Sequence, residues 1–286
     1  MQKYVEEFEK MVEIRGLAKS TLKSYISYLK EYLTYVENQL SKDANQVTWE
    51  ETRDYILHLK NNRLLNPRTI NAHISQLRFF NLYILHKQWD YYQVPKLKFD
   101  TYLPFVLSQE DTLYFINTME NLKHKAIVSL LYSAGLRVSE VCKLKYEDIN
   151  RKKMTIHIRP SKNRSERYAI LSEKALTNLT EYWFAFKKPK DWLFPSSKKE
   201  GQPIVTKTVN TFIKDHEEKL KWKPRISSHT MRHCFGSHLY ENGVDIVSIK
   251  NALGHKSINS TMIYVHLNAH KQNLITSPFD KKVRDE

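Results

Sequence analysis

The stretch His229-Thr-Met-Arg232, followed by Leu253-Gly-His255 and then Tyr264, carries most of the information in this sequence. Far upstream lies Gly135-Leu-Arg137-Val-Ser-Glu140, and a basic segment around Lys162 lies between the two. Two guanidiniums can bind a phosphate, an ammonium can protonate a leaving oxygen, imidazoles can move protons, and a phenol can attack phosphorus. Together the six polar side chains predict a site that breaks a phosphodiester.

The composition is typical of a soluble globular chain with one large domain or two ordinary ones. It has 286 residues, of which 41% are hydrophobic and 27% are charged. No apolar run approaches the roughly 18 residues of a membrane span, and the acidic first helix does not resemble a secretory signal. Cys142 and Cys234 are isolated, so they form neither a disulfide framework nor a CxxC metal pair. We therefore predict a cytoplasmic protein with no membrane partner.

The net charge is +15, and most of it lies in the later part of the chain. Residues 1–95 have 13 basic and 11 acidic side chains, whereas residues 96–286 have 33 and 20. Cationic side chains that neutralise phosphates release counterions, which drives binding to a polyanion. The basic excess lies in the same part of the chain as the candidate catalytic residues, and it predicts nucleic acid as the partner.

Residues 1–94 show apolar side chains at helical spacing in four segments. Ser20 is a good N-cap for the second segment, and Thr48-Trp-Glu-Glu51 has the form of a capping box for the third. Asn66-Pro67 places a cap and an N1 proline before the fourth. The sequence therefore predicts a small bundle of four helices at the N-terminus.

Between these helices and the rest of the chain, the helical period fails. Pro95 and Pro104 bracket this stretch, which predicts an extended linker at 95–107. Residues 108–286 would then form a second domain.

The second domain is predicted to be mainly helical, with a small antiparallel sheet. Helices are expected to begin near Ser108 and to span about 122–135. Residues 154–158 alternate with period two, and residues 167–171 can pair with them across a polar turn. Helices predominate again from Glu173 onward.

The polar motifs quoted at the outset, at 135–140, 229–232, 253–255 and Tyr264, resemble those of the tyrosine recombinase (phage integrase) family in their order and spacing. The resemblance covers nearly the whole chain and is greatest for simple bacterial Xer, integron and transposon-encoded members. It implies a SAM-like core-binding domain and a catalytic domain that close around duplex DNA as a C-shaped clamp. It also implies a site-specific recombinase that acts through a 3′-phosphotyrosyl intermediate on Tyr264, without ATP, metal or another cofactor. A GxxxxGK[ST] motif is indeed missing from the sequence.

The chemistry and position of the side chains suggest roles for the other polar residues of these motifs. Arg137 and Arg232 would clamp the phosphate, because a guanidinium fork matches two non-bridging oxygens. His229 would accept the phenolic proton or hydrogen-bond the phosphate. His255 would approach the phosphate from a short loop. Glu140, three residues after Arg137, could orient that guanidinium.

The histidines allow a second interpretation. His233 follows Arg232 directly, and we expect it to point elsewhere on the helix. A zinc site could instead use His229, His233, His238 and His255, although no acidic partner accompanies them as in HExxH.

In the family, a lysine in a hairpin protonates the departing 5′ oxygen, and Lys162 matches it. Asn163 stands where the family usually has glycine, and asparagine also tolerates a left-handed turn. Arg164 is the alternative for this role. A basic hairpin that only touches backbone phosphates is a further alternative.

The tail after Tyr264 carries Val265, Leu267, Leu274 and Ile275. In relatives such a tail packs into a neighbouring protomer, which predicts a homo-tetramer on DNA formed by tail exchange. The alternative is a tail that folds back on its own domain. For the whole protein, the alternatives are a type IB topoisomerase-like relaxing enzyme and a catalytically idle DNA-binding protein of the same fold.

Overall fold

The structure is a computed structural model that describes residues 1–100, 102–160, 166–189, 191–223 and 225–267. It divides into two compact units, Met1–Thr101 and Tyr102–Glu286. Both are mainly helical, and the second has a small antiparallel sheet, so the predicted fold class is confirmed. The boundary between the units falls inside the predicted linker 95–107. Among the described helices, none is both long and apolar enough to cross a bilayer.

The first unit is a bundle of four helices around an apolar core. The Thr48 hydroxyl accepts the Glu51 backbone N–H at 3.2 Å, and the Glu51 carboxylate accepts the Thr48 N–H at 2.9 Å. The Asn66 side chain accepts the Thr69 N–H at 2.9 Å, with Pro67 in the first turn. Both predicted helix starts are thus confirmed. The helices are α1 (Gln2–Ile14), α2 (Lys19–Tyr35, continued by a π turn over Val36–Leu40), α3 (Trp49–Asn61) and α4 (Pro67–Tyr83).

The prediction that Ser20 caps the second helix is wrong. Helix α2 already begins at Lys19, and Ala18 occupies the N-cap with extended backbone angles. The turn that follows α1 includes Gly16 at a φ of +60°. This turn brings the chain into helical geometry before Ser20 is reached, and N-cap preference is weaker than such backbone constraints.

The second unit packs its helices and its sheet around a core that includes Phe115, Ile127, Leu130 and Phe194. The Ser108 side chain caps the first of these helices by accepting the Asp111 N–H at 3.0 Å, as predicted. The helices are α5 (Gln109–Asn117), α6 (Leu122–Ser133), α7 (Val138–Val141), α8 (Glu173–Ala185), α9 (Thr206–Lys219), α10 (Ser228–Glu241), α11 (Ile246–Leu253) and α12 (Ile263–Leu267).

The sheet has three antiparallel strands in the order β1 (Ile149–Asn150), β2 (Thr155–Ile158) and β3 (Arg167–Ile170). Strand β2 pairs with β3 so that Ile158 lies opposite Arg167, which confirms the predicted pairing. The two-residue strand β1 is not apparent from the sequence pattern. Alternate residues of β2 are buried, so one face of the sheet lies on the core.

Residues at the two ends of the predicted linker are each held by the nearer unit. Leu97 exchanges two hydrogen bonds with the side chain of Asn71 in α4, at 2.8 and 2.9 Å. The Leu107 N–H contacts Cys234 Sγ at 3.4 Å, and the Leu107 carbonyl lies 3.0 Å from His238 Nε2, both in α10. These bonds satisfy backbone groups that no helix or strand serves.

Candidate active site

Helix α10 carries four of the polar side chains named from the sequence, which are His229, Arg232, His233 and His238. It begins after Ser227, whose hydroxyl accepts the Thr230 N–H at 3.2 Å. From this start, His229 and Arg232 are three residues apart and share a face of the helix, while His233 follows directly. Arg232 is buried within the unit and His233 is half-buried, whereas His229 is exposed at the start of α10.

Arg232 is almost completely buried, with 5% of its surface exposed. Its guanidinium donates to the carbonyl of Gly135 and, at 2.6 Å, to the carbonyl of Leu253. Gly135 lies just after α6, and Leu253 is the last residue of α11. The Arg232 side chain therefore joins the C-terminal ends of both helices to α10. Burial and the nearby Arg137 lower the pKa of Arg232 to about 9, which still leaves it charged at neutral pH.

Arg137 and Arg167 share one carboxylate. Glu140 Oε1 accepts from Arg137 Nη1 at 3.0 Å, and Oε2 accepts from Arg167 Nη2 at 2.8 Å. The Arg137 backbone N–H also donates to Glu140 Oε2 at 2.9 Å. Arg137 Nη2 reaches the carbonyl of Gly254 at 3.1 Å. The carboxylate thus fixes the guanidinium that the sequence analysis assigned to the phosphate clamp.

A cavity of about 320 Å³ opens beside these guanidiniums. Its lining brings together parts of α7, β3 and the end of α11, and cationic groups outnumber the single carboxylate of Glu140. An anionic ligand such as a phosphodiester matches this charge. The cationic side chains that line the cavity are Arg137, Arg167, Lys250 and Lys256.

His255 follows Gly254 at the end of α11 and lies at the same cavity. Gly254 has a φ of +62°, and a Cβ there would lie 2.7 Å from Cδ of Arg167. Glycine is therefore needed both for the turn and for the space beside Arg167. His255 Nδ1 lies 2.9 Å from the hydroxyl of Thr261, which orients the ring. Burial, then Arg232 and Arg137, lower the pKa of His255 to about 4, so the ring is neutral at pH 7.

His229 is near the same guanidiniums. Burial lowers its pKa, and Arg232 and Arg137 lower it further. A neutral imidazole can donate one hydrogen bond and accept another. His229 is therefore suited to contact a phosphate oxygen or to accept a proton.

Tyr264 lies in α12 and is almost fully buried, at 1% exposure. Its ring packs against α10 at Gly236, where a Cβ would lie within 2.7 Å of Cε1 and Cε2 of the tyrosine. The ring therefore rests on the backbone of α10. Burial raises the pKa of Tyr264 to about 12, although Arg232 and Arg137 act in the opposite direction.

The expectation that His233 points away from the site is wrong. Its Nδ1 lies 3.5 Å from the hydroxyl of Tyr264, and the two ring centroids are 6.0 Å apart. The angular position of His233 along α10 does not reveal this contact, because the contact depends on α12, which packs against α10 on the side where His233 lies.

The structure thus brings five of the six predicted residues into one part of the second unit, namely Arg137, His229, Arg232, His255 and Tyr264. The charges of Arg137 and Arg232 influence the pKa values of His229, His255 and Tyr264. Arg137 also influences the pKa of Arg232. Lys162, its alternative Arg164 and the tail residues Leu274 and Ile275 lie outside the described residues. The roles of all these residues in cleavage stay predictions.

The alternative zinc site needs four histidines, and both ring nitrogens of His238 already have hydrogen-bonding partners. His238 Nδ1 lies 2.9 Å from the hydroxyl of Tyr132, and its Nε2 lies 3.0 Å from the Leu107 carbonyl. Within the described ranges, no group of three or more His, Cys, Asp or Glu side chains is placed to hold a metal ion.

Arg167, Lys250 and Lys256 also belong to the site, although the sequence motifs do not include them. Arg167 was interpreted only as the start of a strand, yet it pairs with Glu140 across 27 residues of sequence. The signal available in the sequence was a cation at the first position of β3, directly after the basic segment around Lys162. Lys250 and Lys256 flank Gly254-His255, so their closeness to that motif was the available signal.

Comparison with known proteins identifies the family. Residues 106–271 match the model of the phage integrase family, and residues 4–91 match that of the phage integrase N-terminal SAM-like domain. The protein y4qK of Sinorhizobium fredii is 36% identical over 81% of this chain and 75% of its own length. Tyrosine recombinase XerA of Pyrococcus horikoshii is 29% identical over 91% of this chain and 87% of its own.

Solved structures show the same fold. The Tn1549 transposon integrase, in complex with transposon right end DNA, superimposes with a TM-score of 0.74 at 18% identity. That alignment covers 95% of this chain and 99% of the integrase chain. With both segments matched and the polar residues gathered in one site, the chain belongs to the phage integrase family and is an enzyme of the tyrosine recombinase type.

Proposed function

We propose that this protein cuts and rejoins DNA at a specific site through a covalent 3′-phosphotyrosyl intermediate on Tyr264. The observation that carries the proposal is the position of the Tyr264 phenol, packed on α10 in the same site as Arg232. A phenol held beside guanidiniums can attack a phosphate whose negative charge those guanidiniums neutralise.

In the proposed reaction, Arg137 and Arg232 bind the two non-bridging oxygens of the scissile phosphate. Each terminal nitrogen of a guanidinium has two N–H groups, so one can hold a carbonyl or carboxylate while the other faces the phosphate. The Tyr264 oxygen bonds to phosphorus as the bond from phosphorus to the 5′ oxygen breaks. Lys162 donates a proton to the departing oxygen. A 5′ hydroxyl from a second strand then attacks the phosphotyrosine and releases Tyr264.

The proposed partner is duplex DNA that carries a recombination site. The cationic cavity and the basic excess of residues 96–286 support this choice. The related Tn1549 integrase was solved with transposon DNA, which supports the same class of partner here. A homo-tetramer with exchanged tails is part of the proposal, on the strength of the family resemblance alone.

The proposal is tested by covalent capture from a pool of nicked duplexes with a randomised central segment. After incubation and denaturation, protein-linked DNA is purified and sequenced, with the Tyr264→Phe protein as the matched control. We expect the intact protein to enrich one sequence and the variant to yield no linked DNA. Linked DNA at the same level from both proteins would contradict the assignment of Tyr264.

The recovered site then distinguishes the alternatives. Two labelled duplexes with this site should exchange strands if the protein is a recombinase. Relaxation of a supercoiled plasmid without any joined product would indicate a topoisomerase-like enzyme. Binding to DNA without a covalent product would indicate a catalytically idle protein.

A further inference from the structure

Two histidines of α10 could take a proton from Tyr264, and the geometry favours the one that the sequence analysis set aside. His233 Nδ1 lies 3.5 Å from the Tyr264 hydroxyl. This is the long end of the hydrogen-bond range, and catalytic hydrogen bonds are often long before substrate is bound. The planes of the two rings are inclined by 57°, so the rings are not stacked face to face.

The backbone of α10 sets this contact. Gly236 follows His233 by three residues, so both lie on one face of the helix. The Tyr264 ring rests on Gly236 at a distance that a Cβ would not permit. With the ring held there, the hydroxyl projects toward His233. The pair is therefore positioned by close packing, which allows only small displacements.

The groups that face this pair keep each member in the protonation state that proton transfer needs. Burial, His229 and Arg232 lower the pKa of His233 to about 4, so the imidazole is neutral at physiological pH. Tyr264 faces Arg232, Arg137 and Cys234, and burial keeps its pKa well above neutrality. A neutral base therefore stands beside a protonated nucleophile.

We infer that His233 is the residue that accepts the phenolic proton when Tyr264 attacks the scissile phosphate. The inference rests on the proposed function. As the bond between the Tyr264 oxygen and phosphorus forms, the O–H bond breaks and its proton passes to His233 Nδ1. The bond to the 5′ oxygen breaks in the same step. During rejoining, the imidazolium returns that proton to the Tyr264 oxygen as the phosphotyrosine bond breaks.

This assignment leaves His229 free for the phosphate. His229 and Arg232 share a helix face, and the pKa of His229 responds to both guanidiniums of the clamp. The two histidines thus have different partners: His229 is near the groups that bind phosphate, and His233 is near the nucleophile.

The first test measures the pH dependence of single-turnover cleavage of a nicked duplex that carries the captured site. Asparagine at 233 can still accept a hydrogen bond near the position of Nδ1, but it cannot take up a proton. We expect His233→Asn to cleave about 100-fold or more slowly at neutral pH, the usual range for a lost general base. Its rate should rise tenfold per pH unit as the phenolate forms, whereas the rate of the intact protein stays level between pH 6 and 8.

Chemical rescue and a control variant accompany this test. Added imidazole should restore cleavage by His233→Ala and should not affect His233→Asn, which leaves no cavity for it. His124→Asn is the matched control, because His124 is a half-buried histidine of the same unit that stacks on Phe212 at 3.8 Å, away from the site. Its cleavage rate should equal that of the intact protein.

The second test needs no DNA. In protein with ¹⁵N-labelled histidine, Tyr264→Phe should shift the Nδ1 resonance of His233 and leave that of His124 unchanged. An unchanged His233 resonance would overturn the inference. So would wild-type cleavage with a level pH profile in His233→Asn, and in that case adduct formation by the intact protein would leave the proposed function standing.

Discussion

Glu140 shows how a single carboxylate can serve a site built to bind an anion. Its carboxylate accepts hydrogen bonds from the side chains of Arg137 and Arg167 and from the backbone N–H of Arg137, so each carboxylate oxygen has a donor. By pairing with both guanidiniums, it relieves their mutual repulsion in a partly buried place. Together the three side chains have a net positive charge that can meet a phosphate.

The clamp arginines should be sensitive even to a change that keeps the charge. Lysine at 232 has one nitrogen, which cannot reach the Gly135 and Leu253 carbonyls and a phosphate together. We therefore expect Arg232→Lys and Arg137→Lys to suppress cleavage far more than DNA binding. The measurements are single-turnover cleavage and a mobility-shift assay on one duplex. Equal losses in both assays would mean that these arginines only hold DNA.

Lys162 is tested through the leaving group. A 5′-bridging sulfur at the scissile position departs readily without a proton, so it removes the need for a general acid. Lys162→Ala should cleave normal DNA very slowly and recover on the sulfur substrate, whereas Arg232→Ala should not recover. Arg164→Ala is the matched control, because Arg164 is a basic residue two positions away in the sequence. Recovery by Arg164→Ala and not by Lys162→Ala would place the general acid at the alternative residue.

Single residues differ in how far the sequence can predict their surroundings. The Arg137–Glu140 contact is local, at a spacing of three residues, and was predicted from sequence. The contacts of Tyr264 with His233 and of Arg167 with Glu140 join segments 27 or more residues apart. They depend on how α12 and β3 pack in the tertiary structure, which no local pattern specifies.

Among the elements, helix α10 both carries site residues and contacts several other helices of the second unit. It packs against α6, α11 and α12, and its small residue Gly236 makes room for the nucleophile. Helix α12 has only five residues, too few to form a stable helix alone. The position of Tyr264 therefore depends on packing against α10.

Strand β3 contributes to the site through its first residue. Removing Arg167 takes away one of the two guanidiniums on Glu140 and frees that carboxylate to move with Arg137. We expect Arg167→Ala to slow cleavage by up to about 100-fold, since a displacement of about 1 Å at a reacting group can cost that much. Arg159→Ala is the matched control, because Arg159 follows the end of β2, pairs with Asp148 and Glu147 rather than with Glu140, and is exposed. Similar rates for both variants would show that Arg167 does not position the clamp.

The element boundaries were predictable where capping side chains mark them, as at Thr48, Asn66 and Ser108. At α2 the turn geometry overrode the preference of Ser20. Strand β1 has two residues, and a stretch so short shows no alternation. It becomes a strand only because β2 pairs with it.

At the scale of the whole molecule, buried neutral histidines couple folding to pH. His73 is 1% exposed, and its Nδ1 lies 3.4 Å from the hydroxyl of Tyr55 in the first unit. Burial, with a smaller effect of Arg63, lowers its pKa to about 4. Between its unfolded value of about 6.5 and this folded value, the unfolded chain binds a proton that the folded chain does not. Stability must therefore fall as the pH is lowered through this window.

We expect His73 to contribute about 2 kcal/mol of lost unfolding free energy between pH 7 and pH 5. Urea unfolding of the full chain at several pH values measures it. His73→Gln should reduce the loss by about 2 kcal/mol, its own share, and His86→Gln should leave the loss unchanged, because His86 is exposed. The same steep dependence in His73→Gln would show that other groups account for the loss.

The central claim is that Tyr264, held on α10 beside the guanidinium clamp, becomes joined to DNA. Its most direct test is mass spectrometry of the covalent product after nuclease and trypsin digestion. We predict that the tryptic peptide 257–271 gains a nucleotide joined through a 3′ phosphate and that fragmentation places it on Tyr264. A nucleotide on any other residue, or a 5′-phosphate linkage, would contradict the account.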